Sequence, residues 1–355
     1  MASVADETSS LVDPRGFESW ADGKLPSLGD GPLTLTRLAG GATNAVFKVT
    51  RGARTAVLRR PPAIPRPDSE KILHRESRVL EALNGSGVPA PKLLAWCDDP
   101  SVIGTRFYVM SYVDGWTPSA ESAFPAAFNH SCDDRRALAF ELFAGIAALS
   151  RVDHVAVGLQ NFGKPGNFLE RQVKRWKGQL AMYRAAEDYG GRELPGLDYV
   201  ADWLTANRPE SPRIGIIHGD YGFPNTLFAR EAPARLAAMI DWELSTIGDP
   251  LLDLGWTAYT FNPRDGVMPP PGLFDASFYP DREELVEFYA EKSGLPVDKL
   301  DYYMVLAQFK LATLLERKYA EYLIGKTSRK WGEYFGQLTL DLVAAAEQTA
   351  RRSRL

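Results

Sequence analysis

Cysteine and histidine are scarce in this chain, and their scarcity excludes several kinds of site. The 355 residues include two cysteines, Cys97 and Cys132, and four scattered histidines. The cysteine spacing matches no zinc-binding pattern, so a transition-metal centre is not expected. A disulfide is not expected either, because disulfide frameworks belong to cysteine-rich secreted chains.

Long apolar runs and strong net charge are missing as well. No run of apolar residues approaches the length that crosses a bilayer, and the first residues lack the basic and apolar regions of a signal peptide. The formal net charge is −4, which gives no basic footprint for nucleic acid. We therefore expect a cytoplasmic protein with neither a membrane nor a nucleic-acid partner.

The composition itself is that of an ordinary globular protein. Hydrophobic residues make up 45% and charged residues 24% of the chain, and its length is enough for two lobes. Alternating apolar positions near the N-terminus predict strands at Leu33–Leu38, Ala45–Thr50 and Thr55–Arg60. Helical periodicity then dominates, at 136–149, 282–293, 299–324 and 328–350, and Asn167 is predicted to cap a helix that starts there.

The central stretch, 214–255, places polar side chains where short apolar segments end. Ile214–Ile217 leads to Asp220, and Ala237–Ile240 leads to Asp241. Asn225 directly precedes a third apolar segment, 226–228. We read the three segments as adjacent strands, which would position the three side chains accurately for chemistry.

Phosphoryl transfer is the reaction that needs this set of groups. A carboxylate orients and deprotonates the attacking hydroxyl, and oxygen ligands hold magnesium against the phosphates. The pattern His218-x-Asp220-x-x-x-x-Asn225 has the spacing of a kinase catalytic loop, and Asp241 stands where a second metal ligand is needed. We therefore predict Asp220 as the base and Asn225 and Asp241 as magnesium ligands.

Three motifs in order carry a family resemblance. His-Gly-Asp-x-x-x-x-Asn, Ile-Asp-Trp-Glu and Gly-Asp-Pro-x-x-Asp-Leu follow one another between His218 and Leu254. Together they resemble the aminoglycoside phosphotransferase and choline kinase superfamily, and within it the branch of kinase-like domains fused to some acyl-CoA dehydrogenases. The resemblance implies ATP and Mg²⁺ as cofactors. It also implies an α+β, protein-kinase-like two-lobe fold, with a small antiparallel-sheet nucleotide-binding lobe at 1–112 and a mostly helical catalytic lobe at 113–355.

The resemblance also points to nucleotide-binding residues in the first lobe. The turn after the first strand carries Gly40, Gly41, Thr43 and Asn44, and its backbone could cradle phosphates. It does not match the protein-kinase glycine loop, and from sequence alone an ordinary hairpin is the alternative. The family's lobe junction falls at 111–113, where the backbone of Ser111 and Val113 would meet the adenine edge.

A buried ion pair is predicted between a strand and the following helix. Arg59 takes the place of the kinase lysine, and Arg60 is its rival for that role, because alternation puts the two on opposite faces of the strand and only one can point inward. Glu76 falls inside the apolar stripe of the predicted helix 69–83, where a carboxylate needs a partner. Arg59 is the natural one, and together they would occupy the position of the kinase lysine–glutamate pair.

Four neighbouring groups receive other readings. His218 is read as structural, locking the loop by hydrogen bonds. Asp249 and Asp253 begin a helix and are read as bracing that loop. Glu243 stays open between a group that reaches metal or water and a surface carboxylate.

The substrate follows from what the motifs leave out. Trp242 and Glu243 replace the Phe-Gly of protein kinases and no Ala-Pro-Glu segment follows, so a protein substrate is not expected. The predicted function is transfer of the γ-phosphate to a small-molecule hydroxyl, such as that of a hydroxyacyl-CoA or hydroxy acid. The alternatives are an aminoglycoside O-phosphotransferase and a nucleotide-binding module without catalysis.

Overall fold

The chain divides into two compact units. The computed structural model describes residues 11–38, 44–118, 124–128, 132–185, 189–261, 267 and 280–355. The first unit comprises Met1–Gly115 and a returning segment, Ala237–Ser245. The second comprises Trp116–Leu236 and Thr246–Leu355.

An antiparallel sheet forms the centre of the first unit. Its strands are β1 Leu33–Arg37, β2 Ala45–Arg51, β3 Arg54–Arg60, β4 Leu93–Cys97 and β5 Phe107–Ser111. Their spatial order is β1-β2-β3-β5-β4, and each neighbouring pair is antiparallel. β2 alternates buried with half-buried positions, because successive side chains point to opposite faces. The three strands predicted from alternation are thereby confirmed.

A short helix, α1 (Pro14–Lys24), packs on this sheet. It begins where its sequence favours a start, because Asp13 accepts a hydrogen bond from the Arg15 amide at 3.0 Å and Pro14 needs no donor there. Phe17 is fully buried and meets Phe107 edge to face, with ring centroids 5.8 Å apart. The N-terminal segment therefore contributes to the core of the first unit.

The second helix of this unit, α2 (Ser69–Leu83), has the predicted bounds. Its buried stripe contains Leu73, Val79 and Leu80, while Ile72 is only partly buried. Glu76 lies within the stripe and is 1% exposed. The helical period thus identified the buried carboxylate correctly, although it chose Ile72 where Leu73 faces the core.

Helices dominate the second unit. They are α3 Cys132–Ser150, α4 Glu170–Arg184, α5 Leu197–Ala206, α6 Leu251–Phe261, α7 Arg282–Ser293, α8 Leu300–Leu323 and α9 Arg329–Arg352. α8 packs against both α6 and α9. The close approach of α6 to α8 needs a glycine, because a Cβ on Gly255 would lie 2.5 Å from that of Tyr303. A small antiparallel sheet in one unit and a mostly helical second unit confirm the predicted α+β fold class.

The predicted cap at Asn167 is wrong. α4 begins three residues later, and Asn167 adopts a left-handed backbone with φ 53°. Asparagine tolerates this conformation better than most residues, so Asn167 shapes the turn before the helix instead of capping it.

The strands around the catalytic motifs pair differently from the prediction. They are β6 Gly215–Ile217, β7 Thr226–Phe228, β8 Leu236–Met239 and β9 Thr246–Gly248. β6 pairs antiparallel with β9, which the sequence did not reveal, and β7 belongs to a separate sheet. Because β7 pairs with β8 and β6 pairs with β9 instead, the expected set of three adjacent strands is confirmed for β7 and β8 and wrong for β6. β8 carries the chain from the second unit back into the first.

Among the described residues, no helix combines the length and the hydropathy that crossing a bilayer requires.

Candidate active site

In the first unit, the carboxylates of Glu76 and Asp241 share the guanidinium of Arg59. Nη2 of Arg59 lies 2.8 Å from Oδ1 of Asp241 and 3.1 Å from Oε1 of Glu76. Arg60 points to the other face of β3 and donates to the carbonyls of Pro61, at 3.1 Å, and Leu11. The two arginines therefore lie on opposite faces of β3, and the one that pairs with Glu76 is Arg59, the residue favoured from the sequence.

Glu76 is held in an environment that disfavours its charge. Burial raises the pKa of Glu76 to about 8, against the attraction of Arg59 and with the help of the Asp241 and Glu243 carboxylates. Its second oxygen, Oε2, has no hydrogen-bond partner among the described residues. Burial alone would lower the pKa of Arg59, but the opposing charges of Glu76 and Asp241 raise it. Arg59 thus remains a cation, and its guanidinium holds the cluster together.

Asp241 occupies a strained backbone position. Its φ of 66° and ψ of 64° are left-handed, a region that non-glycine residues seldom adopt. It precedes a short 3-10 turn, Trp242–Leu244, which Trp242 anchors by donating its indole N–H to the Met239 carbonyl at 3.2 Å. Such strain clusters at functional sites, where a side chain must be aimed in a set direction. The Asp241 carboxylate is 33% exposed, so it can reach a ligand from solvent.

Glu243 was left open between a group that reaches metal or water and a surface carboxylate, and the structure gives it an intermediate position. Its side chain is partly buried, and Oε2 has no hydrogen-bond partner within the described part of the chain. Its charge is also one of the causes of the raised pKa of Glu76. Glu243 therefore adds negative charge to the Arg59 cluster.

The predicted catalytic loop, in the second unit, is braced from α6. The Asp253 carboxylate accepts hydrogen bonds from the amides of His218, at 2.6 Å, and Gly219, at 2.9 Å. Gly219 has φ 88°, which favours glycine at this turn. His218 is fully buried, and its Nδ1 faces the Asp220 amide at 3.4 Å. These contacts agree with the structural readings of Asp253 and His218.

Burial also sets the protonation of the two helix carboxylates. It raises the pKa of Asp253 to about 6, although the Gly219 and His218 amides favour the charged form. Asp249 is completely buried, and burial raises its pKa too. It accepts from the Leu251 amide at 2.9 Å and from the Tyr303 hydroxyl at 2.7 Å, so it fixes the start of α6.

Asp220 and Asn225 are brought together directly. The Asn225 amide nitrogen donates to the Asp220 carbonyl at 2.7 Å and to its Oδ2 at 3.0 Å. Because that nitrogen is committed to Asp220, the amide oxygen of Asn225 is the atom left for another ligand. The spacing of the motif thus produces a local bond that aims the Asp220 carboxylate.

Lys310 is the residue that the sequence reading missed. It lies on α8 and is 9% exposed, and its ammonium donates to the Gly219 carbonyl. Nζ also lies 4.1 Å from the ring centroid of Trp256. The available signal was a lysine that directly follows a stretch of apolar residues in the predicted helix, a position where a charge needs partners.

The remaining predicted nucleotide contacts are placed only in part. Gly40, Gly41 and Thr43 lie outside the described residues, whereas Asn44 is buried at the start of the returning strand. Ser111 ends β5, and its amide donates to the Lys92 carbonyl at 2.9 Å. That amide is therefore already used by the sheet, which leaves the following residues, 112–113, for an adenine edge.

Comparison with known proteins identifies the family. The model of the "Phosphotransferase enzyme family" (APH) matches residues 34–288. Acyl-CoA dehydrogenase family member 10 of Mus musculus is 31% identical over 338 residues, which cover 93% of this chain and 30% of that protein. The chain spans less than half the length of the curated relatives that it matches.

Solved structures share the fold. A crystal structure from Ralstonia eutropha JMP134, described as a proposed aminoglycoside phosphotransferase, superposes with a TM-score of 0.83 at 28% identity and covers 97% of this chain and 100% of that one. The aminoglycoside phosphotransferase APH(4)-Ia, in a ternary complex with AMP-PNP and hygromycin B, has a TM-score of 0.59 at 15% identity and covers 94% and 99%. These likenesses confirm the predicted kinase-like fold and the resemblance to the dehydrogenase-linked branch. The chain therefore belongs to the phosphotransferase enzyme family.

Proposed function

We propose that this phosphotransferase uses magnesium and ATP to phosphorylate the hydroxyl of a small metabolite. The observation that carries the proposal is the double hydrogen bond of Asn225 to Asp220, on a loop that Asp253 braces. This bond supports the proposal because it holds a carboxylate that could act as a general base and leaves an amide oxygen beside it. Positioning of this kind supplies most of the catalysis in phosphoryl transfer.

The donor set fits magnesium in the way that nucleotide enzymes use it. In the described part of the chain, no group of three or more histidine, cysteine, aspartate or glutamate side chains could hold a metal ion. Magnesium usually takes one or two protein carboxylates and completes its coordination with phosphate oxygens and water. The oxygens of Asp241 and Asn225 would hold the ion, and its charge would offset that of the phosphates.

The nucleotide is assigned to residues 1–112. Arg59, held between Glu76 and Asp241, offers a guanidinium to phosphate oxygens. Gly40, Gly41, Thr43 and Asn44 would cover the phosphates, and the backbone at 112–113, directly after Ser111, would meet the adenine. The remaining residues, 113–355, supply Asp220 as the base and the acceptor site. The nucleotide analogue bound to APH(4)-Ia supports the choice of ATP.

The acceptor that we propose is a hydroxyacyl-CoA or a hydroxy acid. Its support is the likeness over nearly the whole chain to a protein named as an acyl-CoA dehydrogenase family member. An aminoglycoside acceptor is the second candidate, supported by the description of the Ralstonia structure. A panel of hydroxyacyl-CoAs, hydroxy acids, sugars and aminoglycosides, with ADP formation and product mass as readouts, decides between them.

Asp220→Asn is the matched test of the reaction itself. The amide keeps the shape of the side chain and cannot accept the proton, so turnover should fall by about 10²–10⁴ while ATP affinity stays within a factor of about two. Calorimetry gives the affinity, and ADP formation gives the turnover. Unchanged turnover in this variant would reject Asp220 as the base. Nucleotide binding by the wild type without a phosphorylated product from any acceptor class would favour a non-catalytic binding module.

A further inference from the structure

A buried lysine reaches the catalytic loop from a distant helix. Lys310 lies in α8, ninety-one positions after Gly219 in sequence, and its ammonium donates to the Gly219 carbonyl. The ring of Trp256, on α6, lies under the ammonium at 4.1 Å. An amine that is 9% exposed is costly to keep charged, so its contacts must offset the lost hydration.

The charges around Lys310 come from three elements. Asp220 follows β6, Asp253 belongs to α6, and Arg175 belongs to α4. Burial lowers the pKa of Lys310 to about 8, the two carboxylates raise it, and Arg175 lowers it further. Lys310 is therefore the buried cation that faces both the proposed base and the carboxylate that braces the loop.

Two opposite contacts fix the peptide groups on either side of Gly219. Asp253 accepts from the Gly219 amide, and Lys310 binds the Gly219 carbonyl, whose peptide continues into Asp220. Gly219 has φ 88°, so its backbone has more freedom than that of other residues unless it is held. A displacement of about 1 Å in such a loop is enough to cost about 10²-fold in rate.

We propose that Lys310 is a positioning residue for the catalytic loop, holding the Gly219 carbonyl so that the Asp220 carboxylate keeps its place. The consequence for turnover rests on the proposed role of Asp220, whereas the hold on the loop does not. Two readouts therefore separate the proposals: amide hydrogen exchange of residues 215–225, followed by mass spectrometry, and ADP formation with magnesium ATP.

The test compares Lys310→Met with Lys318→Met, both on α8 of the full chain. Lys318 is exposed and pairs with Glu321 at 3.0 Å, so its loss should leave the loop unchanged. Lys310→Met keeps the length of the side chain and removes the cation. We expect amide exchange at 215–225 to rise by about tenfold or more and turnover to fall by about 10²-fold, with ATP affinity unchanged. Exchange like that of Lys318→Met would overturn the proposal.

A second experiment follows the pH dependence of amide exchange in residues 215–225 and does not require Lys310→Met to fold. In the wild type, loop protection, corrected for intrinsic exchange, should fall with a midpoint near pH 8, where Lys310 loses its proton. Lys310→Arg should keep its protection to higher pH, because guanidinium stays charged. The same midpoint in both proteins would contradict the proposal. A wild type with a protected loop and no phosphorylated product would reject the proposed function and leave the role of Lys310 standing.

Discussion

Removing Arg59 should destabilise the protein, and the loss should grow only at alkaline pH. Arg59→Met takes the cation from Glu76, which is 1% exposed, and from Asp241, which is 33% exposed. Water can replace the lost contact at Asp241 far better than at Glu76, whose Oε2 has no hydrogen-bond partner in the described residues. The energetic consequence therefore lies mainly with Glu76.

The magnitude follows from the proton balance of Glu76. Burial raises its folded-state pKa to about 8, from an ordinary value of 4.5, so the folded protein holds this proton more tightly than the unfolded chain. The contribution of Glu76 to wild-type stability consequently falls as pH rises from about 4.5 to about 8. Below pH 8 the variant loses the contact of the guanidinium with Glu76 and its charge-assisted hydrogen bond to Asp241, which together we expect to be worth about 1.5–3 kcal/mol. Without Arg59 the proton is held to still higher pH, so above pH 8 the loss grows by about 1.4 kcal/mol per pH unit.

Urea unfolding of the wild type and Arg59→Met at pH 6, 8 and 10 measures the difference in their free energies of unfolding. Groups that titrate alike in both proteins contribute equally to the two values and cancel in the difference. The pH at which the loss begins to grow reports the folded-state pKa of Glu76. In an Arg59→Met protein that also carries Glu76→Gln, position 76 cannot titrate, so the alkaline growth should vanish. An equal loss at pH 6 and pH 10, or a loss below about 0.5 kcal/mol at both, would refute the reasoning.

Three further changes test other parts of the site and fold. Asp241→Asn keeps a residue type that tolerates the left-handed backbone but removes the negative charge. Calorimetry should therefore show the magnesium-dependent affinity for ATP falling by about tenfold or more, and equal affinities of variant and wild type would exclude Asp241 as a magnesium ligand. Gly255→Ala would put a Cβ 2.5 Å from that of Tyr303 and should lower the free energy of unfolding, measured in urea, by about 1–3 kcal/mol. Gly178→Ala is the control, because its Cβ would meet no atom beyond its own helix backbone within 4 Å; it should stabilise the protein by up to about 1 kcal/mol, and equal effects of the two variants would contradict the close packing at Gly255. Burial raises the pKa of Asp253 to about 6, so its contribution to the free energy of unfolding should fall as pH rises from about 4 to about 6, and Asp253→Asn should lose this slope. The variant should also lose most of its turnover, because Asp253 holds the amides of His218 and Gly219; an unchanged slope in urea unfolding would assign the slope to another group.

Local patterns predicted much of the site because the physics that they encode is local. Asn225 follows Asp220 by five residues, and that spacing yields the two hydrogen bonds observed between them. The pairing of Arg59 with Glu76 was predictable over a longer distance for a different reason. A carboxylate on the buried stripe of a helix requires a cation, and strand alternation allowed only one of Arg59 and Arg60 to face it.

What the sequence could not reveal depends on contacts between distant segments. Lys310 looked like one more lysine in a long helix, and only the packing of α8 shows that it meets the Gly219 carbonyl. The pairing of β9 with β6 was equally invisible, because a three-residue strand carries almost no periodic signal. The left-handed backbone of Asp241 also escaped prediction, since a strained conformation persists only where tertiary packing imposes it.

Each unit contains a buried cation that faces more than one carboxylate. In the first, Arg59 faces Glu76, Asp241 and the nearby charge of Glu243. In the second, Lys310 faces Asp220 and Asp253, with Arg175 near enough to lower its pKa. Replacement of such groups by apolar residues often stabilises a protein, so stability alone does not account for these acidic clusters. The function proposed above needs carboxylates that are not fully neutralised, both to bind a divalent cation and to take a proton from a hydroxyl, and this need would account for the cost of the clusters.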